Sequence, residues 1–296
     1  MIKTFNDLLD KLGDRPPLRL VVVGAEEEAV VAAIRRAVEK DLIIPTTVSL
    51  NPNFSVDFVS ENHFAPDPGS AAKLGVELVK SGKADLLMKG SLPTAEVLHP
   101  VIDKSGGLLI PGRRLSHIAV LELPGRGRLT LISDAAVNIQ PDLEAKVDII
   151  NNAVEIADVL GYIPPRVALL SALETVNPKI PSSVDADSIK KLSNGGCFGK
   201  AVVSGPLALD NALFPEAVSV KHISNDPVAG QADILVVPEL VSGNLLYKSL
   251  SLVAGYPTAG IVNGAKVPII LTSRADKPET KINSIILGCY LRHFHK

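Results

Sequence analysis

Short apolar, β-branched runs recur along the chain, each followed by a turn of small residues and then a stretch with helical spacing. Strands are predicted at 18–23, 46–50, 84–88, 117–123, 129–133, 166–170, 201–204, 234–237, 260–262 and 268–272. Helices are predicted at 26–40, 70–81, 93–104, 143–160, 186–192, 243–253 and 278–293. Runs such as LVVV and VPIIL are apolar throughout rather than alternating, as strands buried on both faces of a mostly parallel sheet must be. Helices between such strands supply right-handed crossovers. About ten strands suit two α/β units better than one sheet. The Pro-containing turn at 138–141 is the expected first crossing, and the final helix can return to the first unit. The expected division is therefore 1–138 with 262–296 as one discontinuous α/β domain and 139–261 as the other.

Composition removes several function classes. Lys and Arg number 30 against 32 Asp and Glu, and there is no Trp, so neither a basic field nor a stacking surface favours nucleic acid. No apolar run reaches the ~18–20 residues of a membrane span, and the N-terminus mixes both charge signs without the apolar core of a signal peptide. Cys197 and Cys289 stand far apart, and no HExxH or clustered His/Cys points to a metal. The expected setting is the reducing cytoplasm.

In open α/β sheets ligands gather beyond the carboxyl ends of strands, so the strand exits come first. Gly24 with Glu26, Glu27 and Glu28 lacks GxGxxG, and its acidic run reads as a helix start matched to the dipole. The exit at Lys89, Gly90, Ser91 and Thr94, with Pro93 opening a helix, can hold an anion, or Ser91 can simply cap that helix. Asp134 and Asn138 sit in a small-residue segment where Asp134 can be a cap or a partner for a cation. Gly205 and Pro206 follow another strand, and Ser242 and Asn244 lie on an SGN turn expected to open a helix, its amides together with Lys248 offering an edge to an anion. The sharpest exit is Thr272-Ser273-Arg274. A guanidinium fork fits phosphate bidentately and a neighbouring hydroxyl serves a second reacting atom, unless Arg274 pairs with Asp276 or Glu279 and the hydroxyls cap.

Taken in order, DLLMKGSLPT (85–94), SDAAVNIQPDLEAKVDII (133–150), SGPLALDNA (204–212), ADILVVPELVSGNLLYKSL (232–250) and GAKVPIILTSRAD (264–276) resemble the phosphate acetyl/butyryltransferase family. The resemblance implies an isocitrate/isopropylmalate dehydrogenase-like α/β fold of two domains with a cleft between them, usually in a homodimer or higher homo-oligomer. It implies reversible transfer of a short acyl group from acyl-CoA to inorganic phosphate, giving acyl phosphate and CoA, with coenzyme A as substrate and no tightly bound cofactor. It places Ser273 and Arg274 beside the thiol end of CoA and the transferred phosphate. Acetyl-specific relatives carry an acid near the position of Thr280, so no general base carries over. TSRAD and the compact length look more like the butyryl branch than the acetyl branch. The competing readings are an acetyl-specific enzyme, a dehydrogenase of the same fold and a non-catalytic CoA-binding sensor.

Overall fold

The structure, a computed structural model, describes residues 1–295. The chain begins with α1 (Phe5–Leu12), β1 (Leu18–Val23), α2 (Glu28–Glu39), β2 (Ile43–Ser49), β3 (Glu61–Phe64), α3 (Pro68–Lys80), β4 (Leu86–Lys89) and α4 (Thr94–Val101). It continues through β5 (Ser116–Glu122), β6 (Leu129–Ser133), α5 (Leu143–Val159), β7 (Arg166–Leu170), α6 (Pro181–Ser193), β8 (Val202–Leu207), α7 (Leu209–Leu213) and α8 (Pro215–Val220). It closes with β9 (Ile234–Val236), α9 (Leu240–Lys248), a π-helical turn (Ser249–Val253), β10 (Thr258–Asn263), β11 (Ile269–Leu271) and α10 (Pro278–Phe294).

Two compact units result: 4–115 with 257–295, and 1–3 with 116–256. In the first, the strands run β3-β2-β1-β4-β11-β10. All neighbours are parallel except β10, which turns back against β11. Leu20 to Val23 of β1 are fully buried, as their unbroken apolar run requires. In the second unit the order is β5-β6-β9-β7-β8, with β5 and β6 forming an antiparallel hairpin and the rest parallel. Its core gathers Ile132, Ala168, Leu207, Leu235 and Tyr247. The first residues join this unit because Ile2 N–H donates to Leu160 O at 2.8 Å and the Tyr162 hydroxyl donates to Ile2 O at 2.7 Å.

Both crossings fall earlier than the sequence suggests, at 115/116 and 256/257 rather than 138/139 and 261/262. The hairpin decides the first: β6 pairs with β9, Leu131 opposite Ile234, which binds residues 116–133 to the second unit. Pairing of β10 with β11 keeps 258–263 in the first. Three helices and one strand have no counterpart in the predicted elements: α1, α7, α8 and β3. β3, with the sequence ENHF, is a polar edge strand without the apolar alternation that marks half-buried strands.

Candidate active site

Three parallel strands of the first unit end level with one another. Val23 of β1 is the register partner of Lys89 of β4, and Lys89 is the partner of Leu271 of β11. Parallel strands point the same way, so the segments beginning at Gly24, Gly90 and Thr272 leave the sheet side by side at its carboxyl edge. Gly90 N–H donates to Val23 O at 2.9 Å and Ser91 N–H to Gly24 O at 2.7 Å, zipping two of these exits together. A Cβ on Gly90 would collide with the carbonyl of Gly24, so only glycine allows that approach.

Lys89, expected in the turn, is the last residue of β4 and is only 3% exposed. Its Nζ donates to Gly90 O at 3.0 Å and Leu92 O at 3.3 Å. Burial, then the positive charges of Lys281 and Arg274, bring its pKa down to about 8 against the opposing pull of Glu27 and Asp276. Ser91 does not cap α4, whose first turn begins after Pro93 with Thr94 and takes no side-chain cap.

The exit of β11 is held from two sides. Asp276 Oδ2 accepts from Ser273 N–H at 2.7 Å, and Lys281 Nζ donates to Ser273 O at 2.8 Å. Asp276 is 2% and Lys281 1% exposed, so both clamps work away from water. Glu27 lies 3.5 Å from Lys281 Nζ and balances its charge. The Ser273 hydroxyl accepts from Ala275 N–H at 3.3 Å. Thr272 Oγ1 is buried and no protein atom among the described residues bonds it. Arg274 is exposed. Among the described residues no carboxylate holds it: Glu279 pairs with Arg36 at 3.1 Å, and Asp276 is engaged with the Ser273 amide. The alternative in which Arg274 is tied down by Asp276 or Glu279 therefore falls away.

Sequence reasoning passed over Lys281 and read Glu26 and Glu27 only as part of a helix start. Of the acidic run, Glu28 lies in the first turn of α2 and Glu27 is its N-cap residue, so the dipole match holds there, while Glu26 stands before the helix. Glu26 instead accepts from the Ser49 hydroxyl at 2.8 Å and from the Leu50 amide. Thr280 shares a hydrogen bond with the Thr258 hydroxyl at 3.2 Å.

The remaining candidates lie in the second unit. Asp134 follows β6 and caps its own loop, accepting from Ala136 N–H at 2.8 Å, Val137 N–H at 2.9 Å, Asn138 N–H at 3.1 Å and Asn138 Nδ2 at 2.6 Å. Asp134→Ala should lower stability by about 2 kcal/mol, because three part-buried backbone donors lose a charged acceptor together. Urea unfolding checks this, and an unchanged midpoint would show that the loop finds other acceptors. Ser242 and Asn244 both lie inside α9, which begins three residues before the predicted start at Gly243. Glu239 is the cap, and its carboxylate already takes the Val241 and Ser242 amides at 2.6 and 2.8 Å. The amides expected to receive an anion are thus occupied by an internal one. Asn244 Nδ2 donates to Ala135 O at 3.2 Å, tying α9 to the Asp134 loop, while Lys248 is exposed at the end of α9. Gly205 and Pro206 lie within β8 rather than after it. The β7–β8 register shifts beside them, which lets a proline stand in a strand. With Lys190 and Asp226 they line a pocket of about 300 Å³.

The family model described as phosphate acetyl/butaryl transferase matches residues 68–289, spanning every strand exit above except that of β1. The chain belongs to the phosphate acetyl/butyryl transferase family. Among its relatives, the phosphate butyryltransferase of Clostridium acetobutylicum is 39% identical over 97% of this chain and 98% of that protein. The phosphate acetyltransferase of Rhizobium meliloti is 42% identical over 92% of this chain and 87% of that protein. The crystal structure of a branched-chain phosphotransacylase from Enterococcus faecalis is 35% identical, with a TM-score of 0.86 over 94% of this chain and all of that one. Family membership thus rests on nearly the whole chain. Overall identity does not separate the butyryl from the acetyl relatives, so substrate choice must be argued from chemistry. Among the described residues no helix is long and apolar enough to cross a membrane.

Proposed function

We propose that this chain transfers a short acyl group, butyryl or a branched relative, reversibly from acyl-CoA to inorganic phosphate. The observation that carries the proposal is the Thr272–Arg274 exit. Its backbone is clamped on both sides by buried charges while the Arg274 guanidinium stays uncommitted. A rigid backbone with a free charged fork is what preorganised binding of a phosphate needs.

In this reading a phosphate oxygen attacks the thioester carbonyl and the CoA thiolate leaves. Arg274 holds the phosphate and neutralises the oxyanion that develops, and Ser273 hydrogen-bonds the carbonyl oxygen or the sulfur. Lys89 and the Gly90–Ser91 backbone close the same anionic edge. The test is release of free thiol from butyryl-CoA, dependent on added phosphate. A chain that oxidises hydroxy acids with NAD(P), or binds CoA without releasing thiol, would refute it.

The acetyl reading has support of its own, from the Rhizobium meliloti relative that carries that name at 42% identity against 39% for the butyryl relative. Rates with acetyl-, propionyl-, butyryl- and isobutyryl-CoA separate the two. We expect kcat/KM with butyryl- or isobutyryl-CoA to exceed that with acetyl-CoA by at least about tenfold, because each buried methylene is worth about 1–3 kcal/mol. Acetyl-CoA as the fastest substrate would reverse the assignment. The reading also places the enzyme in the cytoplasm as a homodimer. Exposed Val241, Leu245 and Val253 along α9 and its π-turn offer apolar surface for a second copy, and light scattering in solution tests it.

A further inference from the structure

The proposed reaction moves a proton, and neither Ser273 nor Arg274 is built to carry it. Run towards acyl phosphate, hydrogen phosphate gives up its O–H proton as it attacks, and the departing thiolate takes one. Run in reverse, the thiol gives up a proton and the leaving phosphate takes it. Thr280, on the first turn of α10, offers only a hydroxyl already bound to Thr258. Asp276 is occupied by the Ser273 amide, and Glu27 stands against Lys281.

Resting on the proposed acyl transfer, we infer that Lys89 is a catalytic residue: its amine takes the proton from the attacking nucleophile and returns it to the leaving group. The geometry is particular. Nζ has three substituent positions besides its carbon. Two are N–H bonds donated to Gly90 O and Leu92 O at 3.0 and 3.3 Å. A neutral amine satisfies both with its two N–H bonds and keeps a lone pair at the third. An ammonium places its third N–H there, and no protein atom among the described residues accepts it. The two protonation states therefore differ at one position while the side chain stays fixed. Lys89 ends β4 level with Leu271, one residue before the buried, unbonded hydroxyl of Thr272 and two before Ser273.

The charges around Lys89 come from each neighbouring segment: Glu27 before α2, Arg274 and Asp276 after β11, and Lys281 on α10. Burial and the two cations outweigh the carboxylates and hold its pKa at about 8. The amine is thus populated near neutrality, as a proton carrier requires. The steps balance. Towards acyl phosphate, the phosphate oxygen forms the new C–O bond as its proton passes to the Lys89 amine. The C–S bond then breaks, and the thiolate takes that proton from the ammonium. Lys89 ends as it began, and acyl phosphate and CoA thiol are released.

Turnover of acyl-CoA with phosphate tests the inference, because no substrate thiol titrates in that direction. In the wild-type protein kcat/KM should rise with pH through about 8 as the amine forms. Lys89→Met should lower kcat about a hundredfold or more and abolish that limb. Added methylamine should then restore turnover in proportion to its free-base concentration. Lys89→Arg, which keeps the charge but cannot give up its proton, should be as slow as Lys89→Met and unrescued. Thermal unfolding of each variant separates loss of fold from loss of chemistry, and methylamine rescue of Lys89→Met stands even if some protein is lost. A Lys89→Met enzyme that keeps the alkaline limb, or loses only KM for phosphate, would overturn the role while leaving the acyl transfer intact. Absence of thiol release by the wild-type protein would instead strike the proposed function itself.

Discussion

Arg274→Ala should lose at least about a hundredfold in kcat with butyryl-CoA and phosphate while unfolding at the wild-type temperature. The two halves of that result have separate causes. Arg274 is exposed, and among the described residues no ion pair or hydrogen bond restrains it, so its removal takes no contact from the folded chain. A preorganised donor at developing charge is worth about 3–4 kcal/mol in the transition state, which sets the scale of the kinetic loss. Arg274→Lys should recover only part of it, because a point charge cannot reproduce a bidentate fork. A subtler consequence follows from the charge balance. Arg274 helps to lower the pKa of Lys89, so deleting it favours the protonated lysine and shifts the alkaline limb of kcat/KM to higher pH. Unchanged turnover in Arg274→Ala would remove the guanidinium from the mechanism. A lowered melting temperature would mean that it braces the fold instead.

The parts of this site legible in the sequence are those written in consecutive residues. A buried strand followed by Lys-Gly-Ser, or by Thr-Ser-Arg, announces an exit whatever the rest of the chain does, and both lie at the carboxyl edge of parallel strands. What holds those exits is not consecutive. Lys281 sits one residue before the first isoleucine of α10 and has the look of a solvated helix lysine, yet it is 1% exposed because Ser273 O and Glu27 wait for it from two other segments. Glu26 resembles a helix-start acid only until α2 is seen to begin at Glu28 with Glu27 as its N-cap, two residues later than predicted. The SGN segment misleads for the opposite reason. Local composition suggested open amides, whereas Glu239 three residues upstream of Ser242 already fills them. The unit boundaries were hidden in the same way, since the pairing of β6 with β9 joins residues about a hundred positions apart, and no local pattern encodes it.

Lys281→Met should lower stability by about 2–3 kcal/mol and turnover by about tenfold, and the two losses should part company in a double variant. Breaking a buried ion pair strands the surviving charge, at a cost of about 3–5 kcal/mol where both groups are sealed. Glu27 keeps some contact with water, its side chain being 23% exposed, so the lower figure applies. Adding Glu27→Gln to Lys281→Met removes the stranded carboxylate, and the denaturation midpoint should move back towards the wild type. Turnover should not follow. With Lys281 gone, whatever stands at position 27, Ser273 O loses its charged donor and keeps the Asp276 N–H at 3.2 Å, while Asp276 Oδ2 still takes the Ser273 amide. Looseness of even about 1 Å at a reacting group is enough to cost a rate that depends on alignment. If activity returned together with stability in the double variant, Lys281 would be a fold-stabilising charge only. Recovered stability with depressed kcat and an unchanged KM for acyl-CoA would show that the buried lysine acts through the backbone it grips, presenting Ser273 and Arg274 to the reacting atoms.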